Sequence, residues 1–394
     1  MLENVDVMIA GGAVTGSSIA YQLALQSQGR LKILVVEPDP TYQFSASALS
    51  AGSIRQQFST AINIDISLYG ISFLRDIGNH LAVEGSVPDV GLHEGGYLFL
   101  ATHGGAKLLG EINAIQNSRG ANITLYDQQG LLQQFPWLNA SDLAAGSWGR
   151  TGEGWFDGYG LCQAFKRKAL SLGVKYRQAR VVGVSQVAGT ITKVQFDHCD
   201  PVGCGYLVNC AGASGARTLA EKMGFPIPVY AKKRCVFPFS CQQEIQNFPL
   251  LIDTSGVWTR PEGKDFIAGY SPADLDTADH SKDFEVDWPL FEEVIWPALA
   301  ARVPAFEAIR PGRAWAGHYD MCLLDHNALV GLLPGVTNGV IAAGFSGHGL
   351  QQSPAIGRGI AELIIHGAYT SLDLSQLGCE RLVAGRPILE RNVI

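Results

Sequence analysis

The sequence predicts an α/β chain, α+β overall, in which a nucleotide-binding unit with a parallel sheet is interrupted by a part built on a mixed, largely antiparallel sheet. Three stretches predict it. Residues 5–37, VDVMIAGGAVTGSSIAYQLALQSQGRLKILVVE, read as strand, tight turn, helix and strand, the opening βαβ unit of a dinucleotide-binding fold. Residues 227–270 are strand-rich and carry no helical period, which suits an antiparallel sheet. Residues 338–345, NGVIAAGF, read as a strand and run into a glycine turn that opens an apolar helix.

In the first unit the frame is Gly11-x-Ala13-x-x-Gly16, with Gly12 and Val14 between, so alanine stands where the second glycine of the usual fingerprint falls. Glu37 closes the second strand, where a carboxylate accepts bonds from both ribose hydroxyls and repels a 2′-phosphate. Residues 45–59, SASALSAGSIRQQFS, are small and polar and follow the strand directly. Their amides and hydroxyls suit a phosphate or polyol chain, and the stretch contains a lone cation, Arg55. Residues 60–84 then space apolar groups as a helix, 95–101 form a strand and 107–119 a helix. Residues 152–173 start in a glycine- and aromatic-rich turn and become a helix stopped by Gly173. Residues 174–187 and 191–196 read as paired strands, and 206–213 as an apolar strand returning to the first sheet. Residues 287–302 read as a helix. In the last helix Ser353 and Pro354 have the character of an N-cap and first helical residue. With no repeat or low-complexity linker, the nucleotide domain is discontinuous: 1–85, 152–222 and 308–394, with 86–151 and 223–307 forming the second domain.

Composition bounds the function. The 394 residues are 47% hydrophobic, enough for two interlocked cores, and the net charge of −7 argues against nucleic acid as a partner. No apolar run is long enough to span a bilayer, and the start MLENVD lacks signal- or transit-peptide character, so the expected location is cytoplasmic. The eight cysteines include no CxxC pair. Cys199 and Cys204 with His198 are drawn more simply as ordinary thiols than as metal ligands, and no metal is expected.

GGAVTG with Glu37, SAGSIRQQFS at 50–59, EGWFDG at 153–158, NCAGA at 209–213, AAGFSGHGLQQSPAIGRGIAE at 342–362 and the ending ERNVI at 390–394 carry a resemblance over nearly the whole chain. Together they resemble the FAD-dependent D-amino-acid oxidase / sarcosine oxidase superfamily, nearest the branch typified by a mitochondrial complex I assembly factor. The resemblance implies a Rossmann-type FAD-binding domain with a second, substrate-binding domain, and FAD as cofactor. It implies that Gly11, Gly12, Ala13, Val14 and Gly16 face the pyrophosphate and Glu37 the adenosine ribose. Ser45, Ser47, Ser50, Ala51 and Gly52 then meet phosphate or ribityl groups, Val181 passes the adenine, and Ala211 and Gly212 lie by the pyrophosphate. Gly347, His348, Gly349 and Leu350 meet the pyrimidine edge of the flavin, where a helix N-terminus favours negative charge.

Departures from the family pattern set further expectations. Some members attach flavin to a cysteine; the matching position here is Gly317, not Cys322, so FAD is expected to be non-covalent. Phe58 and Gln351 stand where sarcosine oxidases clamp a substrate carboxylate with Arg and Lys, which leaves Arg260, Arg313 or another group for that role. Ile267 stands where those oxidases have an oxygen-activating lysine, which favours a dehydrogenase. The implied reaction is oxidation of the C–N bond of an amine or amino acid by hydride transfer to flavin N5. Candidate catalytic residues are His348, Arg55, Tyr319 and Lys233, and candidate substrate contacts Tyr97, Arg260, Gln351, Phe58 and Arg313. Plain alternatives stand beside them: a surface ion pair for Arg55, a solvated charge run for Lys232, Lys233 and Arg234, packing for the aromatics. Electrons leave to a quinone, an electron-transfer flavoprotein or a partner subunit. The competing functions are 2-hydroxy acid oxidation and a non-catalytic flavoprotein that assists assembly.

Overall fold

The computed structural model describes residues 3–272 and 283–391, so the last three residues of the ERNVI ending lie outside the described part. One sheet has eight strands, and Glu3–Ala10 lies at its centre between Ile33–Glu37 and Val202–Asn209, all parallel. Lys175–Gln178 extends it on one side. Gly339–Ala343 extends it in parallel on the other, and Leu329–Leu332 follows antiparallel. The strand order reverses direction at Glu3–Ala10. A crevice opens there beyond the carboxyl ends of the strands, where open α/β sheets bind ligands. Val7, Ile9, Val35 and Val208 on one face and Met8 and Leu207 on the other are fully buried, because a parallel sheet is covered on both faces.

The second sheet has nine strands and is antiparallel except where Leu250–Ile252 runs parallel to Tyr97–Ala101. Its long strand, Val229–Cys241, pairs with Asp265–Tyr270 on one side and with Trp315–Cys322 on the other. Trp315–Cys322 lies in the stretch the sequence assigned to the nucleotide domain. Its hydrogen bonds place it in the second sheet instead, together with Ile309–Pro311.

Two further expectations are corrected. Residues 174–187 form two strands: Lys175–Gln178 joins the parallel sheet, while Val181–Val187 pairs antiparallel with Thr190–Phe196. The last helix is Gly349–His366, capped at His348, so Pro354 lies inside it and Ser353 is no N-cap. Proline cannot donate to the carbonyl four residues back, that of Leu350. The Ser353 hydroxyl donates to that carbonyl at 2.8 Å, which is why proline is tolerated there. Residues 45–59 contain one helical turn, Ala46–Leu49, and a short strand, Ser53–Ile54, paired with Gly154–Trp155.

The two ends of the chain meet in the core. The helix Val14–Gln26 crosses Gly349–His366, and Ser18 Oγ donates to the Ser353 carbonyl at 2.8 Å. A Cβ on Gly357 would stand 2.2 Å from Ser18 Oγ, so only glycine permits this approach. Near the C-terminus the buried Glu390 accepts from Ser59 N at 2.7 Å and from Thr60 Oγ1 at 2.9 Å. It also accepts from the Thr60 N–H at 3.2 Å, which ties down the residues leading into the helix Ala61–Arg75 and fixes the segment that carries Arg55.

Candidate active site

A cavity of about 820 Å³ runs from the carboxyl ends of the parallel strands to the face of the antiparallel sheet. At its first end the turn after Glu3–Ala10 is shaped by close backbone approach. Gly11 has φ of +101°, and a Cβ there would lie 2.2 Å from the Cys210 carbonyl oxygen. A Cβ on Gly16 would lie 1.9 Å from the Gly11 carbonyl oxygen. Ala13 sits at the N-cap in extended backbone, and its methyl lines the cavity beside Val14. Gly12 lies behind the wall, where its N–H donates to Glu37 at 2.8 Å. Burial pushes the Glu37 carboxyl up, and the amides of Asp39 and Gly12 oppose this. The carboxylate is thus held in place, with lone pairs left for a diol.

Ser45, Ser47, Ser50 and Ala51 line the middle of the cavity. Ser47 Oγ accepts from Val14 N at 3.3 Å, which draws the segment over the first helix N-terminus. Gly52 does not line it; its φ is +63° and its missing Cβ makes room for the Phe156 carbonyl, 2.2 Å from where a Cβ would lie. Val181, Ala211 and Gly212 wall the first end. Gly347, His348, Gly349 and Leu350 wall the far end, where the helix Gly349–His366 begins and its first amides lack intrahelical acceptors.

Arg55 is 1% exposed, which excludes the surface ion pair. Its Nη2 donates to His348 Nε2 at 3.0 Å, its Nη1 to the Gln57 carbonyl, and its backbone N–H to Gln351 Oε1 at 2.9 Å. Its guanidinium lies 4.2 Å from the centroid of Phe58, a cation–π contact. An arginine always donates, so His348 Nε2 is the acceptor and the ring proton sits on Nδ1. Burial first, and then the neighbouring Arg55 charge, hold His348 well below its ordinary value, so it is neutral.

The other expected residues divide. Tyr97, Tyr319 and Gln351 line the cavity with Arg55 and His348. Phe58 is fully buried and packs edge-on against His348 at 4.9 Å, a support beneath the site and no part of its lining. Arg260 donates to the Ala51 carbonyl at 2.6 Å and pairs with Glu262, also outside the lining. Arg313 is exposed beyond the cavity. Lys233 is turned to the opposite face of its strand, where Nζ meets Asp283 at 2.8 Å. Its neighbour Arg234 lines the cavity instead. Strand alternation separates the two, but their run of three basic residues does not say which face is inward. Gly317 lines the cavity and, without a side chain, offers no attachment atom; Cys322 is fully buried outside the lining.

Sequence reasoning also missed Glu153. It is fully buried beneath Arg55 and accepts from Gln57 N at 3.1 Å and Gln57 Nε2 at 2.8 Å. Burial pushes its carboxyl up to about 8, and the hydrogen bonds oppose this. Nothing in the EGWFDG segment marks that acid as internal. Tyr42, whose hydroxyl is buried in the cavity wall without a partner among the described residues, was likewise unsignalled.

The cavity fits an extended dinucleotide: a turn closed to any Cβ, a held carboxylate beside it, and buried polar atoms that still lack partners. Comparison with known proteins agrees. A family profile described as "FAD dependent oxidoreductase", DAO, matches residues 6–363. The chain is 41% identical to FAD-dependent oxidoreductase domain-containing protein 1 of Xenopus laevis, over 100% of this chain and 85% of that protein. It is 37% identical to the protein of the same name from Bos taurus, over 100% of this chain and 87% of that one. Among solved structures, L-proline dehydrogenase from P. horikoshii superposes with a TM-score of 0.86 at 24% identity, covering 98% of this chain and all of that one. Glycine oxidase from Geobacillus kaustophilus gives 0.80 at 21% identity, covering 95% and 98% of the two chains. These last two likenesses speak to the fold.

Proposed function

We infer that this chain, which belongs to the DAO family of FAD-dependent oxidoreductases, oxidises the C–N bond of an amine or amino acid. FAD, when bound, supplies the hydride acceptor. The chain's own groups bind, orient and exclude water. The turn at Gly11 and Gly16 and the amides of the first helix hold the pyrophosphate, and Glu37 holds the adenosine ribose. The start of the helix Gly349–His366 offers amides to the pyrimidine edge of the ring, where they favour negative charge. With glycine at 317, the cofactor is held without a covalent bond.

The observation that carries the C–N reading is the state of His348. Its one acceptor nitrogen is taken by Arg55, so it does not serve as a base toward substrate. The carboxylate of Asp320 is engaged by the Gly344 amide at 2.6 Å, and that of Glu153 by Gln57. A site whose nearby bases are engaged suits a neutral amine, which gives up its ammonium proton to water before the C–H bond breaks. A hydroxy acid needs its hydroxyl proton taken within the site. Ile267, an apolar group in the second sheet, stands where the family resemblance expects a lysine, and this supports a dehydrogenase that passes electrons to an acceptor other than oxygen.

The test is an anaerobic absorbance titration of the yellow holoprotein with a panel of primary and N-alkyl amino acids, simple amines and 2-hydroxy acids. Bleaching by one or more C–N substrates is expected, with slow reoxidation in air. Bleaching by hydroxy acids alone defeats the C–N reading, and rapid peroxide formation defeats the dehydrogenase reading.

A further inference from the structure

Arg55 carries its charge in the interior, and a buried cation needs negative charge within reach. Burial works against it, and the acids whose charge supports it are Glu390 and Glu153, both buried and both outside the cavity lining. Glu390 comes from the C-terminal segment and is taken up by Ser59, Thr60 and Asn63. Glu153 is placed by a strand pair. Ser53 lies opposite Trp155 and Ile54 opposite Gly154 in the antiparallel register, so the next positions bring Arg55 and Glu153 together. A Cβ on Gly149 would lie 2.0 Å from Glu153 Oε2, so glycine at 149 makes room for the acid.

The carboxylate gathers the segment that follows Arg55. Oε1 accepts from Gln56 N at 2.5 Å and from Gln57 N at 3.1 Å, and Oε2 accepts from Gln57 Nε2 at 2.8 Å. These three neighbours all donate, which is what a carboxylate needs. The same Gln57 Nε2 donates to the Tyr97 carbonyl at 3.0 Å. With its amide and side chain fixed, Gln57 presents its carbonyl to Arg55 Nη1, and Arg55 Nη2 reaches His348 at the start of the last helix. A glutamine oxygen at position 153 could accept from the same two backbone amides. What glutamate adds is a negative charge, kept in the interior at a cost in stability.

We propose that Glu153 is a positioning residue of the flavin end of the cavity. It fixes the segment that presents Arg55 to His348, and its negative charge, set behind Arg55, opposes negative charge on the bound ring and so makes the flavin harder to reduce. Arg55 alone would favour the reduced ring; Glu153 holds that effect back, and a flavin that takes electrons less readily passes them on more readily. This rests on the ring lying at the His348 end of the cavity, and holds whichever substrate is oxidised.

The experiment equilibrates the holoprotein with a reference dye during slow anaerobic reduction and reads the flavin–dye equilibrium constant from absorbance. It is run at pH 9, above the value of about 8 to which burial pushes the acid. Glu153→Gln is expected to shift the constant about tenfold toward reduced flavin, the order expected when one charge is removed from a protein interior. Glu153→Asp keeps the charge and is expected to stay within about threefold of wild type. A Glu153→Gln protein with the wild-type constant, or one shifted toward oxidised flavin, overturns the proposal. An equal shift in Glu153→Asp also overturns it, because geometry and not charge would then be the cause, and so does loss of FAD by both variants. If Glu153→Gln alone fails to fold or to hold FAD, Arg55→Met and Arg55→Met/Glu153→Gln decide by the same measurement. The double variant buries neither charge and is expected to lie about tenfold nearer reduced flavin than the single one; equal constants overturn the proposal. The dye equilibrium uses no amine. A constant indifferent to Glu153 removes this role and leaves the C–N reading standing, and a tenfold shift with no bleaching by any amine does the reverse.

Discussion

Replacing Arg55 with methionine tests the electrostatic centre of the site. Methionine keeps the unbranched stem and removes the guanidinium, and with it the cation–π contacts to Phe58 and Phe99. Two buried acceptors, His348 Nε2 and the Gln57 carbonyl, lose their donor. Each orphaned acceptor costs about 1–3 kcal/mol, and relief of the cation's own burial offsets part, so about 2–5 kcal/mol of stability should be lost. The pH dependence carries the sharper signature. Burial first, then Arg55, hold the His348 pKa well below 6.5 in the folded protein, so near that pH the unfolded chain binds more protons. His348 therefore lends stability that is fully present above its unfolded pKa and is lost as pH falls toward its folded pKa, with a slope of up to about 1.4 kcal/mol per pH unit. Without the Arg55 charge the folded pKa rises and the window narrows. Urea unfolding of wild type and Arg55→Met from pH 8 to 5, followed by tryptophan fluorescence, should show lower stability throughout for the variant and a smaller loss on acidification. Parallel curves would refute the idea that Arg55 helps to keep His348 neutral.

Gly11→Ala should give protein that is colourless or loses FAD on dialysis, because its Cβ would lie 2.2 Å from the Cys210 carbonyl oxygen, whereas Ala13→Gly should stay yellow. Ser353→Ala strands the Leu350 carbonyl beside Pro354 and should cost about 1–3 kcal/mol in unfolding free energy, with the flavin spectrum unchanged. Acid precipitation of the holoprotein should leave all yellow colour in the supernatant, since Gly317 provides no atom for attachment; a yellow pellet would contradict this.

The sequence by itself determined the opening βαβ unit, the acid at Glu37, the return of an apolar strand, read at 206–213 and found at Val202–Asn209, to the first sheet, and the strand-rich second part. Each of these rests on a local period or a local glycine constraint, and local patterns are written in consecutive residues. It also marked Arg55 and His348 as candidates, though not that one donates to the other across 293 positions of chain. Only the tertiary structure decided the partners. It placed Trp315–Cys322 in the second sheet, buried Glu153 beneath Arg55, and set Pro354 inside a helix whose freed carbonyl is met by Ser353. It turned Arg234 inward and Lys233 outward, because the facing of a pleated strand is fixed by the layer that packs on it and not by the strand's own residues. Which charge lies in a cavity, and which is paired at the surface, is settled by contacts between segments distant in sequence.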